Sequence, residues 1–327
     1  MNYMDNIFFF SFLISFVFTF YLMLFLIPIF RKVHLGQYIR KEGPRKHESK
    51  KGTPILGGVF IFIASFITFL FINYEYSMLE VNIIIVLYFP LFIYMLVGLI
   101  DDLFKLIKKE NEGLKAKTKL LLQFIAILLY FIVLKKFNIL DTKIYLFRTI
   151  IDIKYFYIVL LILIFLSSSN ALNLSDGIDG LAGGLMIITL IAYGIIAFLL
   201  KEGIILVSII TLLASVLAFF IFNVNPARIF MGDSGSMMLG AALAMYAVLL
   251  KVELLLFVLA LPYIIETLSV IIQVIYFKIT KGKRLLLMSP LHHHFELKGY
   301  SEWKIDIIFW ILGIISSIIS IIFVCLR

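Results

Sequence analysis

Apolar runs of roughly 20 residues, separated by short polar stretches, follow one another along the whole chain. About 20 apolar residues is the length a helix needs to cross some 30 Å of hydrocarbon. The runs are continuous and lack the two-residue alternation of a membrane barrel, so the pattern predicts helices. It places spans at about 7–30, 54–73, 82–100, 119–135, 155–172, 182–200, 204–222, 236–250, 254–277 and 305–325. The fold class is therefore an all-α polytopic membrane protein, read as a single domain over residues 1–327. The segment 136–154, with Asp141, Lys143, Arg148 and Asp152, leaves room for a short hairpin.

Composition agrees with this reading: 63% of residues are hydrophobic, 15% are charged, and the mean hydropathy is +1.10. Soluble domains carry about 25% charged residues. The start of the chain holds Asp5 and no Lys or Arg, unlike a signal sequence. Arg31 and Lys32 follow the first span, and the segments 31–53, 101–118, 223–235 and 278–304 hold most of the Lys and Arg. Basic loops stay inside, so both termini are expected outside. The net charge of +9 then reflects topology, with some of it free to attract phosphates, and is no nucleic-acid footprint. The single cysteine, Cys325, excludes an internal disulfide and a cysteine-based metal site.

Once the spans are drawn, nearly all polar residues with chemical potential fall at one face. Asp101 and Asp102 end the third span, four residues before Lys105 closes an i,i+4 pair with Asp101. Adjacent carboxylates diverge by about 100° on a helix, so a shared ligand is not expected from them alone. They suit Mg2+ or proton chemistry, or simply a solvated helix edge. Asn170, Asn173, Asp176 and Asp179 recur every third residue among glycines, as one polar ridge at a helix end. Carboxylates at a membrane edge are costly and mark function, although Asx and Gly also build ordinary turns. In the segment Asn223–Ser236, Asp233 precedes a new helix, where it either caps the helix or holds a metal against phosphates at its amides. Phe230, just before it, is placed to stack a base or to pack.

His292, His293 and His294 follow the basic stretch Lys278–Arg284. Neighbouring side chains diverge and no further His or Cys group completes a zinc site, so a histidine contacting phosphate is the better reading. Glu266 and Gln273 share a face of the ninth span, lining the same cavity or bonding neighbouring helices. Lys115, Lys117 and Lys119 follow the carboxylate pair, and Gly43-Pro44-Arg45 with Lys51-Gly52-Thr53-Pro54 leads into the second span.

These motifs in this order resemble the polyprenyl-phosphate N-acetylhexosamine-1-phosphate transferase superfamily. The matching segments are DDLFK at 101–105, NALNLSDGIDGLAGG at 170–184 and NVNPARIFMGDSGS at 223–236. The tract PLHHHFELKG at 290–299 resembles the branch that works on muramoyl-pentapeptide donors rather than on N-acetylglucosamine donors. The resemblance implies a bacterial plasma-membrane enzyme with ten helices, a cytoplasmic site, Mg2+ dependence and a homodimer. It implies transfer of phospho-MurNAc-pentapeptide from UDP-MurNAc-pentapeptide to undecaprenyl phosphate, giving lipid I and UMP. Carried onto this chain, Asp233 is the Mg2+ ligand and Asp101 and Asp102 the catalytic pair, with His292 beside them. Lys105, Lys117, Asn170, Asn173, Asp176, Asp179, Asn223, Gln273, His293 and His294 become substrate-binding, and Phe230 the uracil-stacking aromatic.

For such a reaction the lipid phosphate attacks the β-phosphorus, and metal and lysines offset the charge. Asp101 as a base and Asp102 as a nucleophile forming a covalent intermediate both stay open at this level. A transporter would gather its carboxylates near the bilayer midplane between repeats, and this chain has neither feature.

Overall fold

A computed structural model describes residues 3–32, 36, 50, 52–76, 80–110, 112–146 and 149–326; the Gly43-Pro44-Arg45 and Lys51 positions and Arg148 lie outside them. The long helices are α1 (Tyr3–Lys32), α2 (Gly57–Glu75), α3 (Val81–Lys108), α4 (Ala116–Lys136), α5 (Tyr157–Ser175), α6 (Leu181–Leu199), α7 (Gly203–Asn223) and α8 (Gly232–Leu249). They are followed by the short α9 (Leu256–Leu259), then α10 (Leu261–Ile279), the short α11 (Leu291–Leu297) and α12 (Glu302–Cys325). Among the described residues nine helices are long and apolar enough to cross a membrane.

The tenth expected span is α8, and it falls short of that apolarity for a physical reason. It is the central helix, packed against α3, α5 and α2. Residues Ser234 to Val248 are all buried, so its surface meets protein rather than lipid. Its Gly, Ala and Ser positions let neighbouring backbones come close, as membrane helix interfaces favour. The peripheral helices invert this pattern: α1 exposes Phe9, Tyr21, Leu24 and Phe25 along its length. Its inner stripe sets Ser11, Ser15 and Thr19 among Ile7, Met23 and Ile27, with Ser15 Oγ 2.8 Å from Ser215 Oγ of α7 and Thr19 Oγ1 3.0 Å from the same oxygen.

One predicted span changes shape, and the anticipated hairpin forms. The span 254–277 breaks into α9 and α10 at Ala260, just before Pro262, whose missing N–H is tolerated in the first turn of α10. The segment 136–154 does form a hairpin, β1 (Lys143–Leu146) against β2 (Thr149–Asp152), antiparallel with Lys143 opposite Asp152. At that end of the bundle Tyr157 donates to Glu253 at 2.6 Å, and Lys251 lies 4.8 Å over the Tyr157 ring.

Candidate active site

At the other end of the bundle, a cavity of about 690 Å³ opens where the four motif-bearing segments meet. Its wall takes Asp101, Asp102 and Lys105 from the end of α3 and Lys119 from the start of α4. Asn173 and Asp176 come from the end of α5, Phe230 and Asp233 from the start of α8, and His292 and His293 from α11. All four loops therefore lie at one end, as the hydropathy pattern implies. Helix α3 runs two turns past the predicted span end, so its carboxylates sit on a rigid helix and not in a loop.

Asp101, Asp102 and Asp233 each offer an oxygen within 4.8 Å of the others, the one convergent group of potential metal ligands among the described residues. The divergence expected of adjacent carboxylates is overcome because α8 arrives between them. Asp102 accepts from the backbone N–H of Asp233 (3.0 Å) and of Ser234 (2.9 Å), which ties the positive end of α8 to a carboxylate. Asp101 turns the other way and accepts from the Leu114 N–H at 2.8 Å. Two backbone details allow the approach. Gly232 has φ +74°, the left-handed region where glycine is unstrained, and a Cβ on Gly98 would stand 2.1 Å from the Asp233 carbonyl oxygen.

Two ammonium groups offset part of the charge of this cluster. Lys105 Nζ lies 2.7 Å from Asp101, 3.1 Å from Asp233 and 3.9 Å from Asp102. Lys119 Nζ lies 2.5 Å from Asp233. Asn173 donates to the other Asp233 oxygen at 3.0 Å and to Ser236 at 2.8 Å. Three converging carboxylates with all-oxygen donors suit a hard divalent cation such as Mg2+ better than a softer metal.

Beside this anionic centre lies a second polar group. Asp179 accepts from Lys50 (2.7 Å), from Asn225 (3.3 Å) and from the Ala227 N–H (2.9 Å), and Lys50 also pairs with Glu302 at 2.8 Å. Burial opposes the charge on Lys50, but Asp179 and Glu302 outweigh it and hold its pKa above the usual lysine value. Asp176 has no ion pair among the described residues, and Lys105 offsets its charge only from a distance. Burial, reinforced by the charges of Asp233, Asp102 and Asp179, pushes it up to about 7.

Comparison with known proteins places this arrangement. Residues 83–251 match the family model for glycosyl transferase family 4. A phospho-N-acetylmuramoyl-pentapeptide-transferase of Bacillus cytotoxicus is 42% identical over 299 residues, covering 90% of this chain and 91% of the relative. The proteins of that name from Halalkalibacterium halodurans (40% over 311 residues, 94% and 95%) and Staphylococcus aureus (41% over 317, 94% and 97%) are similar to nearly the same extent. The chain belongs to glycosyl transferase family 4, in its phospho-N-acetylmuramoyl-pentapeptide-transferase branch.

The family 4 match takes in Asp101, Asp102, Asn173, Asp176, Asp179 and Asp233 and ends before the histidines. Not every sequence-picked residue reaches the cavity. The ridge at 170–179 splits, because α5 ends at Ser175 and Asp179 lies in the following turn. Asn170, a turn deeper, donates to Gln123 of α4 at 3.0 Å. Asn223 is buried and donates to the Ile229 carbonyl at 3.0 Å, bracing the α7–α8 loop. Gln273 accepts from the N–H groups of Leu285 and Leu286 and donates to the Leu286 carbonyl, holding the loop ahead of the histidines. His294 accepts from the Leu287 N–H outside the cavity wall, while His293 lines it and pairs with Glu296 at 2.7 Å.

Lys117 is exposed and outside the wall of this cavity; Lys119 takes that place. Helical spacing carries the signal for Lys119, which continues the buried stripe of Gln123, Ala126, Ile127, Tyr130 and Leu134. Lys50 and Glu302, 252 residues apart in sequence, had no local signal: only the fold brings them to Asp179.

Proposed function

We propose that this chain transfers phospho-MurNAc-pentapeptide from UDP-MurNAc-pentapeptide to undecaprenyl phosphate, giving lipid I and UMP. The observation that carries the reading is the meeting of Asp101, Asp102 and Asp233 with Lys105 and Lys119 at the membrane-edge end of a bundle whose flanks are apolar. A charged nucleotide reaches such a cavity from water and a prenyl phosphate from lipid. Membership of the branch supports the choice of substrates.

In the reaction an oxygen of the lipid phosphate bonds to the β-phosphorus, and the bond from that phosphorus to the bridging oxygen breaks as UMP leaves. Asp233, with Asp101 and Asp102 adjoining, would hold Mg2+, which when bound would supply Lewis-acid neutralisation of the diphosphate. Lys105 and Lys119 orient the phosphates and offset their charge. Asn173 fixes the rotamer of Asp233 from the side. Asp102 has both oxygens committed to α8 amides, which favours direct attack by the lipid phosphate over a covalent Asp102 intermediate. Asp101, whose oxygens meet the Leu114 N–H and the Lys105 ammonium, is read as the proton acceptor. Phe230, in the same cavity wall as Lys50 and Asp179, is read as the platform for the uracil ring.

The same reading takes residues 1–327 as one membrane domain of the bacterial plasma membrane, with the cavity cytoplasmic and both termini outside. The basic loops support that orientation; the homodimer follows from the resemblance. Donor choice tests the substrate assignment: purified protein given undecaprenyl phosphate is expected to consume UDP-MurNAc-pentapeptide and to leave UDP-N-acetylglucosamine intact. The reverse preference overturns the donor.

A further inference from the structure

Helix α10 carries one carboxylate, Glu266, on a mostly apolar helix. Its buried stripe runs Pro262, Tyr263, Glu266, Ser269, Gln273, while Leu268, Ile271, Ile272 and Ile275 stand exposed on the outer side. Glu266 is 0% exposed, and a carboxylate so placed is costly unless a partner holds it. Its partner is His292: Glu266 Oε2 lies 3.1 Å from His292 Nδ1, and the His292 N–H points at the same oxygen from 3.5 Å. With Glu266 as the acceptor of this contact, the donor hydrogen is the one on Nδ1. Nε2 is then the ring position left to act.

That nitrogen is buried and has no hydrogen-bond partner among the described residues. It is turned to Gly177, which lies between Asp176 and Asp179 in the cavity wall. A Cβ on Gly177 would come within 2.1 Å of Nε2, so the missing side chain is what leaves room for the ring. His292 itself is 0% exposed, and Pro290 begins the turn that delivers it.

We infer that Glu266 is a positioning residue that locks the ring and tautomer of His292, so that Nε2 is presented past Gly177 to a phosphate-bearing substrate in the cavity. The inference rests on the transferase reading above and deepens it. The device has three parts on three elements: a carboxylate in α10, an imidazole in α11 and a gap at position 177. In metal sites the loss of an outer partner that orients a histidine costs roughly 10–100-fold in affinity or activity, and a loss of that size is expected here. Residues acting as one unit also lose activity non-additively.

The test is a double-mutant cycle on UMP release, with kcat and KM separated. Glu266→Gln keeps the shape but replaces the acceptor-only carboxylate, and is expected to lower kcat roughly 10–100-fold with the KM for the UDP donor little changed. Placed on His292→Gln, the same change is expected to cost almost nothing further. Glu266→Asp, a shorter carboxylate, is expected to recover part of kcat. Gly177→Ala is expected to reproduce the kcat loss in the wild-type background and not in His292→Gln. Binding of UMP by each variant reports whether the site is still folded, so a collapsed variant is recognised directly. Full activity in Glu266→Gln, or an equal loss with and without His292, overturns the inference while leaving the transferase reading intact. A wild-type protein that releases no UMP overturns the transferase reading, and this inference with it.

Discussion

Single residues decide the charge balance of the cavity. Asp233 is held by two lysines and an asparagine, whereas Asp176 faces other carboxylates, and this contrast has a measurable consequence. A carboxyl raised from 3.8 to about 7 binds its proton more tightly folded than unfolded. The fold therefore loses stability from this group as pH climbs through that window, and below it the group is neutral in both states. Asp176→Asn is expected to unfold at a higher temperature than wild type at pH 8. The gain should fade towards pH 4, measured by thermal unfolding in detergent with chelator. A gain that is the same at both values would contradict the assignment. Residue identity was largely legible in sequence, because carboxylates at membrane-helix ends stand out against an apolar background. Which lysine served them was less so: Lys117 and Lys119 look alike as text, and only the stripe through Gln123 separates them.

At the scale of elements, the site depends on how closely α8 approaches α3. The hydropathy pattern located nearly every helix, since lipid-facing surfaces must be apolar whatever the function. It placed α8 at 236–250, against Gly232–Leu249 in the structure, although a helix enclosed by protein has no need to be as apolar as one in lipid. It missed the break at Ala260, which leaves mean hydropathy unaltered. Nor did the angular separation of Asp101 and Asp102 foretell their convergence, which arises from a third carboxylate carried on another helix. Gly98 is the contact point. Gly98→Ala is expected to push the Asp233 backbone away from α3 and lower turnover by about 100-fold, as ångström-scale misplacement of reacting groups does. Circular dichroism should show the helices retained; wild-type turnover would show that the approach is not needed.

The whole molecule separates its two ends. One holds the cavity; the other holds the hairpin and the Tyr157–Glu253–Lys251 cluster. With Cys325 the only cysteine, a Cys325→Ser background permits single cysteines to be placed at either end. A cysteine at Asp141 is expected to react with a membrane-impermeant maleimide in intact cells, and one at Lys283 only after permeabilisation. The opposite pattern would invert the orientation.

Lipid I synthesis at the three-carboxylate cluster is tested most directly by UMP release from UDP-MurNAc-pentapeptide by purified protein, with and without undecaprenyl phosphate and Mg2+, beside Asp233→Ala. Release is expected to need both the lipid phosphate and the cation, and to fall at least about 100-fold in the variant. Release that persists in Asp233→Ala or in chelator, or none from folded wild-type protein, would contradict it.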